Sequence, residues 1–364
     1  MHRIAIAAGG TGGHIFPGIA LAQELQHQLN TSNIIFIGSK DGIENIIVKK
    51  FNYVCLSTHV QKLYRSFTIK NLLFPFFMIL SIIETYMIFK KFNISMFIGC
   101  GGFVSGIAGC AAKLKKIPIL LQEQNSYPGI STRFIAPLAK KIYLGNQKAE
   151  DYLTCHKNQV EYTGNPIRPL EKLSQEYAQR ILELKPLKTI FFYGGSQGST
   201  AINNVAFSIL DRLIKKNIQL IVQTGDRDYT NLNEQIRKKA NCIIQPFFEN
   251  MQVIYSASDL VICRAGAISL SEVAYFGIPA IIIPYPWAAG DHQIKNAAYF
   301  SMKKAAVMIE ENDLSPDVLF DEIMSILDNN ERYVQMKNAM KSLAKPNATK
   351  DIVSNIIATL GLVC

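Results

Sequence analysis

The sequence predicts an α/β protein built from two parallel-sheet domains, and three observations carry that prediction. The chain has 364 residues, 49% of them hydrophobic, enough for two domains each with its own core. Short apolar strands alternate with longer helical stretches along the whole length. Both halves also open alike: a strand runs into a glycine-rich turn and then a helix, with GGTGGH at Gly9–His14 and GGSQGS at Gly194–Ser199.

In the first half the expected strands are Ile4–Ala8, Ile34–Gly38, Met96–Gly99, Pro118–Gln122 and Lys141–Gly145. In the second half they are Thr189–Tyr193, Gln219–Gln223, Cys242–Gln245, Leu260–Cys263 and Ala280–Pro284. The segment TGNPIRP at Thr163–Pro169, with one glycine and two prolines, interrupts any regular element. It sets a first domain at 1–163 and a second at 164–344. The last stretch, 345–364, is a candidate to pack back on the first domain.

The net charge of +10 is unevenly placed: residues 1–163 carry 17 basic and 8 acidic side chains, and the remainder 21 and 20. A basic first half suits a phosphorylated ligand, an anionic membrane or nucleic acid. No basic–aromatic recognition motif is present, so no nucleic acid partner is expected. Seven cysteines without CxxC spacing point to a reducing compartment. The run Asn71–Phe89 is long and apolar enough to raise a membrane span. Glu84 near its centre, and an α/β domain that a span would split, favour a core helix or one lying on the bilayer.

A strand–glycine–helix turn gathers unpaired amides and the positive end of a helix dipole, which makes an anion site. The plainer reading of one such turn is a backbone needing positive φ. Three occur here: Gly9–His14, GCGGFVSG around Gly101, Gly102, Ser105 and Gly106, and Gly194–Ser199. All follow expected strands, at the edge where α/β proteins bind ligands. A dinucleotide fingerprint fails, because Gly10 and Gly12 are followed by Ile15 and the second strand ends in Gly38-Ser39-Lys40; no Walker loop occurs either. His14 closes the first loop, where an imidazole can act as donor or base. Glu123 and Asn125 stand on another carboxyl-edge loop, to position a sugar hydroxyl or to cap the turn at Tyr127-Pro128-Gly129. The densest block is Cys263–Asn296. Gly266 precedes a helix opened by Ser269 and carrying Glu272, and Asp291-His292-Gln293 with Asn296 follow. A carboxylate there can take both ribose hydroxyls, and the amides suit sugar hydroxyls.

With these motifs in place, the chain resembles the peptidoglycan N-acetylglucosaminyltransferases that convert lipid I to lipid II, a family of the GT-B class. The anchors are GGTGGHIFPG from Gly9, GGFVSG from Gly101, QEQNSYPGISTR from Gln122, TGNPIR from Thr163, GGSQGS from Gly194 and the Arg264–Asn296 block. The resemblance implies two Rossmann-like doubly wound domains facing a central cleft. It implies an acceptor diphosphate held by Gly9, Gly10, Thr11, Gly12, Gly13, His14, Gly101, Gly102, Ser105 and Gly106. It places UDP-N-acetylglucosamine against Arg168, Gly195, Ser196, Gln197, Arg264, Gly266, Ala267, Ser269, Leu270, Glu272, Gln293 and Asn296. Thr11, Gly12, Gly13 and Asn125 are implied on the donor side as well. His14, Glu123 and Asn125 are the implied catalytic group, with His14 first and Glu123 second as base.

Three positions depart from the family pattern: Gln122 replaces a common His, Phe103 a common Tyr and Ile107 a frequent Pro. No DxD-like pair ends an expected strand, so neither a metal nor another cofactor is invoked. The expected partners are UDP-GlcNAc, lipid I, anionic lipids and proteins of cell-wall synthesis and division. The expected place is the cytoplasmic face of the bacterial inner membrane, bound peripherally through Asn71–Phe92 and the flanking Lys62, Arg65, Lys70, Lys90 and Lys91. Competing readings are a diacylglycerol glycosyltransferase, a UDP-GlcNAc 2-epimerase, or a non-catalytic subunit that binds a nucleotide sugar or polyprenyl diphosphate.

Overall fold

The computed structural model describes residues 3–29, 33–60, 74–237, 239–359 and 361. The chain divides into two compact units, Met1–Arg168 with Lys345–Cys364, and Pro169–Ala344.

In the first unit the described strands are β1 (Ile4–Ala7), β2 (Ile34–Ser39), β3 (Val54–Thr58), β4 (Met96–Gly99), β5 (Ile119–Glu123), β6 (Lys141–Leu144) and β7 (Val160–Tyr162). They form one parallel sheet in the order β3-β2-β1-β4-β5-β6-β7. The second unit repeats the plan with β8 (Lys188–Tyr193), β9 (Ile218–Gln223), β10 (Cys242–Gln245), β11 (Leu260–Cys263), β12 (Ala280–Ile282) and β13 (Ala306–Met308), in the order β10-β9-β8-β11-β12-β13. These are doubly wound sheets of the Rossmann kind.

Both sheets are near-continuous apolar runs because helices cover both faces. Ile4 and Ile6 join one core cluster with Ile15, Ile19 and Phe36, while Ala5 and Ala7 join another with Phe97, Val104 and Leu121. That alternation is the period-2 pleat of a strand. Three strands lay outside the sequence expectation: β3, β7 and β13. All three are sheet edges. An edge strand buries less apolar surface, so VCLST, VEY and AVM carry little of the pattern that marks the central strands.

In each sheet the chain reverses direction beside the first strand of the unit, between β1 and β4 and between β8 and β11. Such switch points open crevices at the carboxyl ends of the strands. Register keeps the strand ends level, with Ala7 opposite Gly99 and Tyr193 opposite Cys263.

The expected boundary at 163/164 moves to 168/169. The intervening residues are bound into the first unit. A Cβ on Gly164 would lie 2.3 Å from Lys345 Cβ, Asn165 bonds Gln122 and Gln124, and the Arg168 guanidinium lies 4.8 Å from the centre of the Phe16 ring. The C-terminal helix Ala348–Thr359 returns to the first unit, packing on helix Gly12–Leu29 and adding Ile352, Val353, Ile356 and Ile357 to its core.

The apolar run forms helix Phe74–Lys91; residues 71–73, Lys62, Arg65 and Lys70 lie outside the described residues. Among the described residues no helix is long and apolar enough to cross a membrane. The helix is inverted relative to an ordinary soluble one. It buries Ser81 and Thr85 with Phe89, and exposes Phe76, Ile79, Ile83 and Met87. Glu84 is drawn aside, accepting from the His59 amide at 2.9 Å and pairing with His59 Nδ1 at 2.5 Å.

Candidate functional site

The first crevice is made by the turns after β1 and β4. Gly10, Gly101 and Gly102 have φ of 90°, 103° and 79°, a region that glycine alone adopts readily. A Cβ on Gly102 would lie 2.3 Å from the Gly9 carbonyl oxygen, so the two turns touch backbone to backbone. The amides of Gly12 and Gly13 belong to the first helical turn, where no intrahelical acceptor exists.

His14 sits half-buried in this crevice. Its Nδ1 lies 3.0 Å from the Gly9 carbonyl and 3.5 Å from Thr11 Oγ1. A carbonyl only accepts, so Nδ1 carries the proton and Nε2 is the basic nitrogen. A Cβ on Gly101 would meet Nε2 at 2.9 Å, which places the ring across the mouth of the second turn.

Glu44 was not singled out by the sequence. It is fully buried, and one carboxylate oxygen accepts from Ser39 N (2.7 Å) and Ser39 Oγ (2.8 Å) while the other accepts from Gly10 N (3.3 Å). The Gly10 amide is therefore held from behind by a carboxylate. Ser105 and Gly106 are placed differently from expectation. Ser105 is buried against Gly99, and Gly106 packs on Ser131, whereas the turn at Gly101–Gly102 meets Gly9 and His14 directly. Cys100, between β4 and that turn, is buried, which pushes its thiol up to about 12 and removes it as a nucleophile.

In the loop after β5, Glu123 takes the turn-capping place that was the alternative to positioning a sugar hydroxyl. It is 2% exposed, and its carboxylate accepts from Asn125 N (3.1 Å), Asn125 Nδ2 (3.2 Å) and Gly129 N (3.1 Å). It caps the loop and turns Asn125 so that Nδ2 faces inward. Gln122, Gln124 and Asn165 form a buried amide network beneath it: Gln122 Nε2 donates to Asn165 Oδ1 (3.2 Å) and Asn165 Nδ2 to the Gln124 carbonyl (3.2 Å). Gln122 thus has a structural place where a basic side chain is common in the family it resembles.

The second crevice lies after β8 and β11. Gly195 and Gly198 have φ of 91° and 76°, and a Cβ on Gly198 would meet the Thr224 carbonyl oxygen at 1.8 Å. Ser199 caps helix Thr200–Lys215, and Ser196 and Gln197 stand exposed at the turn. Gln223 braces the turn, its Nε2 donating to the Gly195 carbonyl and its Oε1 accepting from Phe248 N, both at 3.0 Å. Gly266 precedes helix Ala267–Phe276, which carries Ser269 half-buried and Glu272 7% exposed. Glu272 accepts from the Tyr255 hydroxyl at 3.0 Å, and Tyr255 meets Tyr193 at 2.9 Å.

Gln293 Oε1 accepts from Ala265 N (3.2 Å) and Tyr285 N (3.0 Å), so its carboxamide is fixed with Nε2 as the other polar end. Three of the expected donor contacts also brace the fold. Arg264 donates to the Ile283 and Pro284 carbonyls (3.2 Å each) and pairs with Glu311. Asn296 is buried and donates to the Ala265 carbonyl at 3.1 Å, and Leu270 lies in the core. A guanidinium and an amide committed to carbonyls hold the Cys263–Gly266 turn in place. Arg168, expected beside the donor, stacks on Phe16 in the first unit. A cavity of about 570 Å³ in the second unit, lined by Ile181, Phe247, Phe248 and Ile254 among others, contains none of the expected site residues.

Two doubly wound units, each with a glycine-lined crevice at its switch point, define the GT-B class of fold, and the family matches make it that of a glycosyltransferase. Residues 4–144 match the glycosyltransferase family 28 N-terminal domain, and residues 189–354 its C-terminal domain. The chain is 36% identical to the UDP-N-acetylglucosamine–N-acetylmuramyl-(pentapeptide) pyrophosphoryl-undecaprenol N-acetylglucosamine transferase of Flavobacterium psychrophilum, over 98% of this chain and 97% of that one. It is 34% identical to the enzyme of the same name from Chlorobaculum parvum, over 98% and 99%. A crystal structure of Acinetobacter baumannii MurG superposes with a TM-score of 0.76 at 28% identity, covering 98% of this chain and all of that one. The chain belongs to this family of N-acetylglucosamine transferases. A UDP-GlcNAc 2-epimerase from Neisseria meningitidis, at 13% identity and a TM-score of 0.68, shares the fold alone.

Proposed function

We infer that this chain transfers N-acetylglucosamine from UDP-GlcNAc to the C4 hydroxyl of the muramoyl residue in undecaprenyl-diphosphate-linked MurNAc-pentapeptide, with inversion, converting lipid I to lipid II. The observation that carries the chemistry is the imidazole of His14, whose Nδ1 is tied to Gly9 so that Nε2 is basic at the mouth of the first crevice. Full-length likeness to transferases of that name supports the choice of substrates.

In this reading the acceptor diphosphate lies against the Thr11–Gly13 amides and the turn at Gly101–Gly102. The acceptor oxygen attacks the anomeric carbon of GlcNAc as the bond from that carbon to the UDP oxygen breaks, through an oxocarbenium-like transition state. The hydroxyl proton goes to His14 Nε2, and the electron pair leaves on the diphosphate. Asn125, fixed by Glu123, orients the acceptor hydroxyl. Glu272 holds the ribose hydroxyls, and Gln293 presents Nε2 to the donor sugar. Negative charge on the leaving group is met by the Gly195–Gln197 amides and the start of helix Thr200–Lys215, without a metal. Retention of activity in EDTA checks that last point; its complete loss, restored by Mg²⁺, would remove it.

The same reading puts the first unit on a membrane surface, where an isoprenoid-linked acceptor must be met. Its support is the inverted helix Phe74–Lys91, with Phe76, Ile79, Ile83 and Met87 outward and Lys90 and Lys91 at its end. The decisive experiment incubates the purified protein with UDP-GlcNAc and a lipid I analogue and measures UDP release. Release that needs both substrates and disappears in His14→Ala is expected. Release independent of the acceptor would overturn the reading.

A further inference from the structure

Beneath the second crevice lies a chain of buried hydroxyls that the reaction as described does not use. Tyr193 is the last residue of β8, directly before the Gly194 turn; Tyr255 is on helix Met251–Ala257; Ser269 and Glu272 share helix Ala267–Phe276. Tyr193 and Tyr255 are 3% and 1% exposed. Their rings are packed among aromatics: Phe191 stacks on Tyr193 at 4.7 Å, and Phe276 lies 5.2 Å from Tyr255. The oxygens contact in series, Ser269 with Tyr193, Tyr193 with Tyr255 at 2.9 Å, and Tyr255 with Glu272 at 3.0 Å.

The direction of this series is fixed by its end. A carboxylate only accepts, so Tyr255 gives its one proton to Glu272 and its oxygen receives the proton of Tyr193; the Tyr193 oxygen in turn faces the Ser269 hydroxyl. Burial raises the ionisation of both phenols well above the usual tyrosine value, so both remain donors wherever the protein is folded. Low dielectric strengthens each member of such a series.

We propose that Tyr255, backed by Tyr193, is the positioning residue that aims the Glu272 carboxylate and thereby sets recognition of the ribose hydroxyls of the donor. The inference rests on the reading of Glu272 as the ribose carboxylate. One Glu272 oxygen is anchored on Tyr255 from below, which restricts rotation of the carboxylate before nucleotide arrives. Anchoring from β8 also ties the carboxylate to the strand that carries the diphosphate turn. The two ends of a nucleoside diphosphate are thus registered on one rigid frame.

The test is calorimetric binding of UDP and of 2′,3′-dideoxy-UDP to the full-length protein and its variants. Tyr255→Phe keeps the ring and deletes the donor. It is expected to weaken UDP roughly tenfold, the usual loss for one buried hydrogen bond to a charged group, and to leave dideoxy-UDP within about twofold. Tyr193→Phe should move the UDP to dideoxy-UDP ratio the same way by a smaller factor, and it provides the reading if Tyr255→Phe does not fold. Equal weakening of both nucleotides, or an unchanged ratio in the folded variants, overturns the positioning role. Glu272→Gln separates the two claims. If it leaves the wild-type ratio intact, the ribose reading itself fails; if it abolishes the ratio while the tyrosine variants do not, only the positioning role fails.

Discussion

At the scale of single residues, the first crevice depends on the positive-φ backbone of Gly10, Gly101 and Gly102 and on one imidazole of defined tautomer. His14→Ala should lower turnover by about two to four orders of magnitude with UDP affinity unchanged, as measured by initial rates beside calorimetry; a tenfold or smaller drop would take the proton transfer away from His14. Gly102→Ala combines a φ of 79° with a Cβ 2.3 Å from the Gly9 carbonyl oxygen. It should cost about 2 kcal/mol or more in a denaturant melt, because the left-handed conformation and the contact add. Candidate site residues are readable from sequence where chemistry and spacing coincide, as in His14 at the end of GGTGGH, which stands in the first crevice. Their supports are not. Glu44 meets Gly10 across 34 positions of chain and Tyr255 meets Glu272 across 17, so no local pattern marks either. Arg264 and Asn296 show both sides. Their side chains suit a diphosphate and a sugar, and their hydrogen bonds to carbonyls 19 to 31 positions away in the chain were not legible.

At the scale of elements, helix Phe74–Lys91 shows what composition leaves open. The apolar run was legible, but which side faces the domain was not. The faces are set by packing on helix Gly102–Lys115, and that packing takes the polar Ser81 and Thr85 inward. Ile79 and Ile83, 56% and 45% exposed, are the residues to change. Ile79→Gln with Ile83→Gln should reduce partition onto anionic vesicles by about tenfold or more, because each isoleucine loses a burial worth about 1 kcal/mol or more at the interface. The thermal midpoint should stay within about 2 °C, and a collapse of the midpoint would mean that these side chains hold the domain together instead. Central strands were likewise legible and three of the edges were not, since a strand such as Val160–Tyr162 is half-buried along its length.

At the scale of the whole molecule, the glycine turns that open both halves of the sequence correspond to two sheets of one plan. The expected boundary fell a few residues early because Gly164, Asn165 and Arg168 are held by first-unit partners distant in the chain. The first unit is finished by the far end of the sequence: Ile352, Val353, Ile356 and Ile357 complete a core begun by Ile4, Ile6 and Ile19. Ile356→Ala should destabilise the first unit by about 2–5 kcal/mol, while UDP binding to the second unit is retained. A two-step melt in which only the first transition moves would check this. A single transition shifted as a whole would show that the units unfold together.

That returning helix also imposes an order on biosynthesis. Residues 169–344 form a continuous stretch with its own sheet and core, so the ribosome delivers everything this unit needs before the last helix emerges. The amino-terminal sheet, made first, waits through the synthesis of the entire second unit with the floor of helix Gly12–Leu29 uncovered. For that interval its apolar surface is open to chaperones or to other nascent chains. Emergence of helix Ala348–Thr359 is then the event that covers it.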